Sequence, residues 1–406
     1  MRGSEAMHGF RARLSNAAPL AGNAAAGLLT ALPFLDGRLF FCAYPGLILF
    51  LALRFADGGR RFGRCYLYAF CFHLPLYSFF VNLYPFEGFG LSQSAAVAVT
   101  ILAVVGIPAV HALFFSAVFV LLRFVRRPAL LPLCAGALWV IFEWTLSLGT
   151  LAFPWGTLAA GQYLFLPAIQ SASLLGSYFV TMVIVTDCGY LALFVRRPAQ
   201  KRLLAAGCGI LAGNIALGAL LLALPAGETD TVRAAVVQGN IGTSEKWESG
   251  RAAEILALYA SLAEQAAQAG AELILLPETA VPVYFEEGGV LHQAYARIAA
   301  EYGCTIATGV LVRDGDVGRN ALLAVYPDGS ISERYDKRHL VPFGEYLPFE
   351  SLLKKLLPFL EDLNLGSTQF AAGEDSAVLP LCGIETGALV CYDSIFPPLS
   401  ADSVKN

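Results

Sequence analysis

The sequence is short of charge. Asp, Glu, Lys and Arg make up 14% of the 406 residues, while 57% are hydrophobic. An ordinary soluble domain carries about 25% charged residues, so neither one water-soluble domain nor a disordered chain is built this way. Histidine is scarce too. The five present (His8, His73, His111, His292 and His339) show no ligand spacing, and no Cys-x-x-Cys pair exists, so no metal centre is expected. There is no Walker loop, no Gly-x-Gly-x-x-Gly and no Gly-x-Ser-x-Gly, which removes the common signatures for nucleotide cofactors and serine-elbow hydrolases. The polar half of the chain has no basic cluster, so no nucleic-acid partner is expected. Neither an internal repeat nor a low-complexity tract is present.

What is there divides in two. The net charge of −4 averages a basic piece and an acidic one. Residues 1–225 sum to +9 and residues 226–406 to −13. A bilayer-spanning helix needs about 20 mainly apolar residues. Seven candidates fit, near 17–35, 39–53, 65–84, 95–122, 129–148, 168–195 and 203–224. Arginine and lysine gather in alternate loops: Arg2, Arg11 and Arg13; Arg54, Arg60, Arg61 and Arg64; Arg123, Arg126 and Arg127; Arg196, Arg197, Lys201 and Arg202. The remaining loops hold one basic residue, Arg38. Cytoplasmic loops carry such excess, so the N-terminus is expected inside and everything after about residue 228 outside, on the periplasmic or outer face of a bacterial inner membrane. The N-terminal segment does not read as a cleaved signal peptide. Glu143 and Asp187 are ionisable groups within this bundle. Each is either functional, as such groups are by default, or a polar contact between helices.

The second half, 231–406 after a linker at 226–230, reads as α/β. Strands are expected at 231–240, 272–276, 304–312 and 385–392, with helices over 251–269 and 290–302 between them. Residues 321–340 suggest a hairpin turning at Asp328-Gly329. Residues 349–363, FESLLKKLLPFLEDL, repeat Phe and Leu at helical spacing with Lys354-Lys355 opposite. They suit either a membrane-surface segment covering a site or a surface helix on its own domain.

Three residues here could carry chemistry. Nine cysteines include three in this half: Cys304, Cys382 and Cys391. Cys391 closes an apolar run and precedes Tyr392-Asp393. Glu278 follows the buried run ending Leu276-Pro277, where burial should raise its proton affinity. Lys337 closes the hairpin before a Pro/Gly-rich loop. Taken singly, each has an ordinary alternative: an inert buried thiol, a surface glutamate, a solvated lysine.

Together, and in that order, Glu278, Lys337 and Cys391 resemble the triad of the nitrilase superfamily. The strings PET, YDKRHLVPFGEYLP and CYD carry the resemblance, and the membrane half narrows it. VVQGNI opening the domain, Lys246-Trp247, and Phe153-Pro154-Trp155-Gly156 are all similar to the apolipoprotein N-acyltransferase family. That resemblance implies an αββα nitrilase-like domain on a multi-pass bundle. It further implies an acyltransferase that needs no cofactor, with a phospholipid donor and a diacylglyceryl apolipoprotein acceptor. Glu278 would be the base, Lys337 the cation and Cys391 the nucleophile. Glu345 would support the lysine, and Trp247 and Tyr392 would line the entrance. Asp393 stands where the family commonly has Glu. Family members continue well past the nucleophile, whereas this chain stops 15 residues after Cys391. The resemblance therefore implies a sandwich incomplete at its C-terminus. Two alternatives remain: a membrane-anchored nitrilase-type amidase, and an inactive remnant that serves as a membrane binding protein.

Overall fold

The computed structural model describes residues 2–58, 61–86, 91–225, 231–351, 355 and 370–404, without the side chains of 2–17 and 243–244. The amphipathic segment expected over 349–363 lies largely outside these. Two compact units form, Met1–Phe86 with Leu91–Pro225, and Ala226–Asn406.

The first unit is helical: α1 (Arg2–Leu35), α2 (Ala43–Ala56), α3 (Phe62–Leu76), α4 (Gln93–Phe124), α5 (Leu131–Thr145), α6 (Ser177–Arg196) and α7 (Lys201–Ala223). Among the described residues, six segments are long and apolar enough to cross a membrane, one fewer than expected. The exception is the expected span at 65–84. It divides at Tyr77, whose backbone leaves the helical region (φ −100°, ψ 1°), into the 15-residue α3 and a 3-10 helix, Ser78–Leu83. The expected span at 168–195 is also shortened, since the chain breaks at Gly176 and α6 begins at Ser177.

Lipid tails are as apolar as leucine, so packing and polar contacts must hold such a bundle together. Its centre is aromatic. Phe50 stacks on Tyr68 with ring centroids 3.7 Å apart, Phe115 on Phe119 at 4.2 Å, and Trp139 meets Phe115 edge-on at 4.9 Å. Leu102, Leu113, Phe114 and Leu220 point outward. Glu143 is a structural tie. Its carboxylate accepts from Trp139 Nε1 (3.1 Å), the Leu158 amide (2.8 Å) and Thr181 Oγ1 (2.9 Å), joining α5 to α6 and to the loop after α5. Asp187 is buried within α6.

The second unit has a five-stranded sheet in sequential order: β1 (Ala234–Val236), β2 (Leu273–Leu275), β3 (Thr305–Asp314), β4 (Val317–Val325) and β5 (Tyr335–Asp336). Strands β1, β2 and β3 run parallel through the crossover helices α8 (Ala252–Gln268) and α9 (Val290–Tyr302); β4 and β5 follow antiparallel. Both helices lie within a residue of their expected bounds, as apolar residues at helical spacing require one buried face. One sheet face packs on α8 and α9 through Ile274, Ile306, Val310 and Leu323. The other carries Ala307, Ala324 and Tyr335 against a separate hairpin, β6 (Val378–Leu381) and β7 (Ile384–Gly387).

The strand expected over 385–392 ends early. β7 stops at Gly387, and Cys391 opens a 3-10 helix, Cys391–Ile395. A strand needs partners for its amides. The Val390 amide instead donates to Asp393 Oδ2 at 3.2 Å, which curls the chain. A short helix, α10 (Pro397–Asp402), follows.

Candidate active site

Each candidate residue lies within a few positions of a strand end. Glu278 follows β2, and a close backbone approach holds it there. A Cβ on Gly309 of β3 would lie 2.5 Å from Glu278 Cα, and the Ala280 amide donates to the Gly309 carbonyl at 3.1 Å. Lys337 follows β5. Its amide donates to the Asn320 carbonyl on β4 at 2.8 Å, and its own carbonyl accepts from the Gly373 amide at 2.8 Å. The lysine backbone is therefore held from both sides.

The Lys337 side chain is 2% exposed. An ammonium at that depth needs paired charge, and two carboxylates supply it. Nζ lies 2.9 Å from Glu278 Oε1 and 3.0 Å from Glu345 Oε1. Asn320 Nδ2 donates to the same two oxygens, at 2.5 Å and 2.9 Å. Glu345 Oε2 accepts from the Val341 amide at 2.8 Å, which fixes its loop. Glu278, Lys337, Glu345 and Asn320 thus form one continuous polar cluster, and Cys391 lies near enough for the Glu278 charge to act on its thiol. Asn320 was not singled out from the sequence. It lies in β4 between Arg319 and the apolar run ALLAV, and an Asn at the head of that buried run was the available signal.

The electrostatics differ from the expectation in one respect. Burial raises the Glu278 pKa, but the Lys337 charge and the hydrogen bonds from Lys337, Asn320 and Cys391 outweigh it, and the net shift is downward. The expected rise is therefore overturned by the neighbouring ammonium. Burial alone would lower the Lys337 pKa, but Glu345 and Glu278 together raise it. The Cys391 thiol is pushed up, first by burial and then by the Glu278 charge, with Lys337 offsetting only part. The resting site thus holds a neutral thiol on a carboxylate–ammonium pair.

Backbone strain marks both partners. Thr279 and Cys391 have φ of 44° and 48°, a region that a β-branched residue in particular rarely occupies. Such outliers persist when their surroundings over-determine them. At Cys391 the determinant is Asp393, which is fully buried. Its Oδ2 accepts from Tyr335 Oη at 2.8 Å and its Oδ1 from the His339 amide at 2.7 Å, besides the Val390 contact. The shorter side chain at this position reaches three elements.

The two residues expected at an entrance are placed differently from each other. Trp247 is 56% exposed, with Lys246 Nζ 5.9 Å from its ring centre. Lys246 Nζ also donates to the Glu278 carbonyl at 3.2 Å, so this pair borders the cluster. Tyr392 is buried against Phe396, ring centroids 5.3 Å apart.

Residues 233–405 match the Carbon-nitrogen hydrolase family, and residues 26–189 match the Apolipoprotein N-acyltransferase N-terminal domain family. Proteins named apolipoprotein N-acyltransferase align along most of the sequence. That of Geobacter metallireducens is 32% identical over 66% of this chain, and that of Pseudomonas aeruginosa UCBPP-PA14 is 29% identical over 93%. The chain belongs to the apolipoprotein N-acyltransferase family. It spans 53% of the Geobacter relative, 58% of that from Allorhizobium ampelinum and 74% of the Pseudomonas aeruginosa one. A CN-hydrolase superfamily protein from Xanthomonas campestris is 26% identical over 42% of this chain and 57% of its own, with a TM-score of 0.32. Within the apolipoprotein N-acyltransferase family, this chain joins membrane helices and a carbon-nitrogen hydrolase fold in one sequence.

Proposed function

We propose that this chain moves an acyl group from a phospholipid to the α-amine of a diacylglyceryl-cysteine at the N-terminus of an apolipoprotein, through a thioester on Cys391. The observation that carries the reading is the grouping of Cys391, Glu278, Lys337 and Glu345, in a chain whose described residues include six helices of membrane-spanning length.

The steps follow from the charges. With the thiol neutral, attack needs proton removal at the same moment. Glu278 takes the Sγ proton as Sγ closes on the ester carbonyl carbon. Lys337 Nζ offers its ammonium to the oxyanion that develops, where a fixed donor in a dry site is most effective. Glu278 then returns the proton to the leaving lysophospholipid oxygen. The lipoprotein amine attacks the thioester, and Glu278 accepts a proton from nitrogen and passes it to the Cys391 sulfur, which leaves as a thiol. Glu345 and Asn320 keep Lys337 and Glu278 in register throughout. Thioester to amide runs downhill, so the route requires no cofactor. Two half-reactions on one nucleophile give ping-pong kinetics.

Trp247 borders the entrance in this reading. The bundle is placed in a bacterial inner membrane with the N-terminus in the cytoplasm, because the arginine-rich loops alternate. Seven crossings put the α/β unit outside. The seventh is α3 together with its 3-10 extension. Fifteen α-helical residues rise about 22 Å and six 3-10 residues about 12 Å, enough for a hydrocarbon core of about 30 Å.

The test is the purified chain with phospholipid and a diacylated lipopeptide. N-acylation and an acyl adduct on Cys391 are expected, and both disappear in Cys391→Ala. Equal activity in that variant would overturn the mechanism. Ammonia release from small amides without lipid would instead support the amidase reading, which shares the carbon-nitrogen hydrolase match.

A further inference from the structure

Of the three cysteines in the α/β unit, the transfer uses one. Cys304 is buried at the start of β3. Cys382 occupies the tip of the β6–β7 hairpin. Leu381 pairs with Ile384, so Cys382 and Gly383 form a two-residue turn, with φ of 51° and 78°. Two positive φ values define a type I′ turn, which favours Asn or Asp before Gly. A cysteine in the first place is strained, and strain of this kind points to a function for the residue held there.

The Cys382 thiol turns back to the main sheet, where Sγ donates to the Glu272 carbonyl at 3.3 Å. That same carbonyl accepts the amide of Thr305, next to Cys304, at 2.8 Å. The Cys382 thiol and the backbone amide that follows Cys304 therefore meet at one carbonyl at the β2–β3 boundary. Burial first, and then the charge of Cys382, hold the Cys304 thiol above its usual range, consistent with close approach.

We propose that Cys304 and Cys382 form a disulfide that fastens the β6–β7 hairpin to the main sheet. Cys382 is the accessible partner, as Cys304 is buried. Its thiolate attacks an external disulfide, such as a thiol–disulfide exchange protein or oxidised glutathione, and releases one thiol. Cys304 Sγ then displaces the second thiol from the mixed disulfide. Two sulfur atoms of the chain are oxidised, the donor disulfide is reduced, and both cysteine protons end on the released thiols. Cys391 follows β7 closely, so the bond restrains the segment that presents the nucleophile. Pairing belongs to the folded chain itself; its persistence in cells rests on the outward orientation proposed above, because reducing cytosol would undo it.

The experiment uses the full chain in detergent, treated with oxidised glutathione and then mapped by non-reducing proteolysis and mass spectrometry. A linked peptide pair containing Cys304 and Cys382 is expected, lighter by two hydrogens, with Cys391 still open to alkylation. The oxidised chain should melt about 5–10 °C above the reduced one, a gap that closes in Cys382→Ser. Recovery of both residues as free thiols or glutathione adducts, a Cys382–Cys391 link, or an unchanged melting point would overturn the proposal. None of these readouts depends on acyl transfer or on orientation, so failure here and failure of the proposed function are separate results.

Discussion

At the scale of single residues, the site is a balance of one buried cation against two carboxylates. Lys337→Met leaves Glu278 and Glu345 facing each other without a counter-charge. Breaking a buried pair in this way costs about 3–5 kcal/mol, so a clear drop in melting temperature is expected together with loss of the acyl adduct. The Glu278 pKa should rise in that variant, because the group that lowers it is gone. Asn320→Leu keeps the volume but removes the donor shared by both carboxylates. A fall in kcat of roughly 10–100-fold is expected, one to two hydrogen bonds to a charged group, with acyl-adduct formation slowed and Cys391 still present. An unchanged rate would leave Asn320 a packing residue.

The pH dependence follows from the same neighbours. The Glu278 pKa is lowered in the folded chain, so its contribution to stability is present above the unfolded value of about 4.5 and is lost as pH falls below it. The Lys337 pKa is raised, so its contribution is present below about 10.5 and is lost at higher pH. The Cys391 pKa is raised from 9.0. Alkylation by iodoacetamide should therefore be slow at neutral pH and still climbing above pH 9. A plateau below pH 7 would mean a preformed thiolate and would contradict proton transfer during attack.

At the scale of elements, positions that contact no substrate should matter through geometry. Gly309→Ala would press a methyl group against the Glu278 backbone at 2.5 Å. Overpacking of this kind costs about 1–3 kcal/mol, and because the displaced residue is Glu278, kcat should fall more than stability alone explains. Asp393→Ala removes the acceptor for Tyr335, His339 and Val390. The turn that presents Cys391 should loosen, seen as faster proteolysis after β7 and reduced acylation. Asp393→Glu tests whether the shorter carboxylate is required to reach all three donors.

Elements also show why some boundaries were legible and others were not. The helices at 252–268 and 290–302 follow from spacing alone, since a repeated apolar face requires a partner surface. The run 385–392 reads as one strand because Thr386, Val390 and Tyr392 favour extended backbone among apolar neighbours. It ends at Gly387 because Val390 bonds to Asp393, and no local pattern reveals that choice. The membrane span at 65–84 looked continuous by hydropathy, yet it changes helix type near Pro75.

At the scale of the whole molecule, topology is the decisive prediction. Fusions of a phosphatase active only outside the cytoplasm should be active when joined after Thr145 or after Ala223, and inactive after Phe124 or Arg196. Activity after Arg196 and none after Ala223 would mean that α3 does not cross and that the α/β unit faces inward.

The sequence by itself determined the two-part organisation, the helical membrane half and the order Glu, Lys, Cys, because hydropathy, charge alternation and short motifs are local properties. Tertiary structure decided the rest. It lowered Glu278 rather than raising it, since the ammonium that does so lies far away in sequence. It brought in Asn320 from mid-strand, and it gave Asp393 its three donors. It also brought Cys382 to the carbonyl beside Cys304. Each depends on residues that only folding brings within a few ångströms, where charge and hydrogen bonding act.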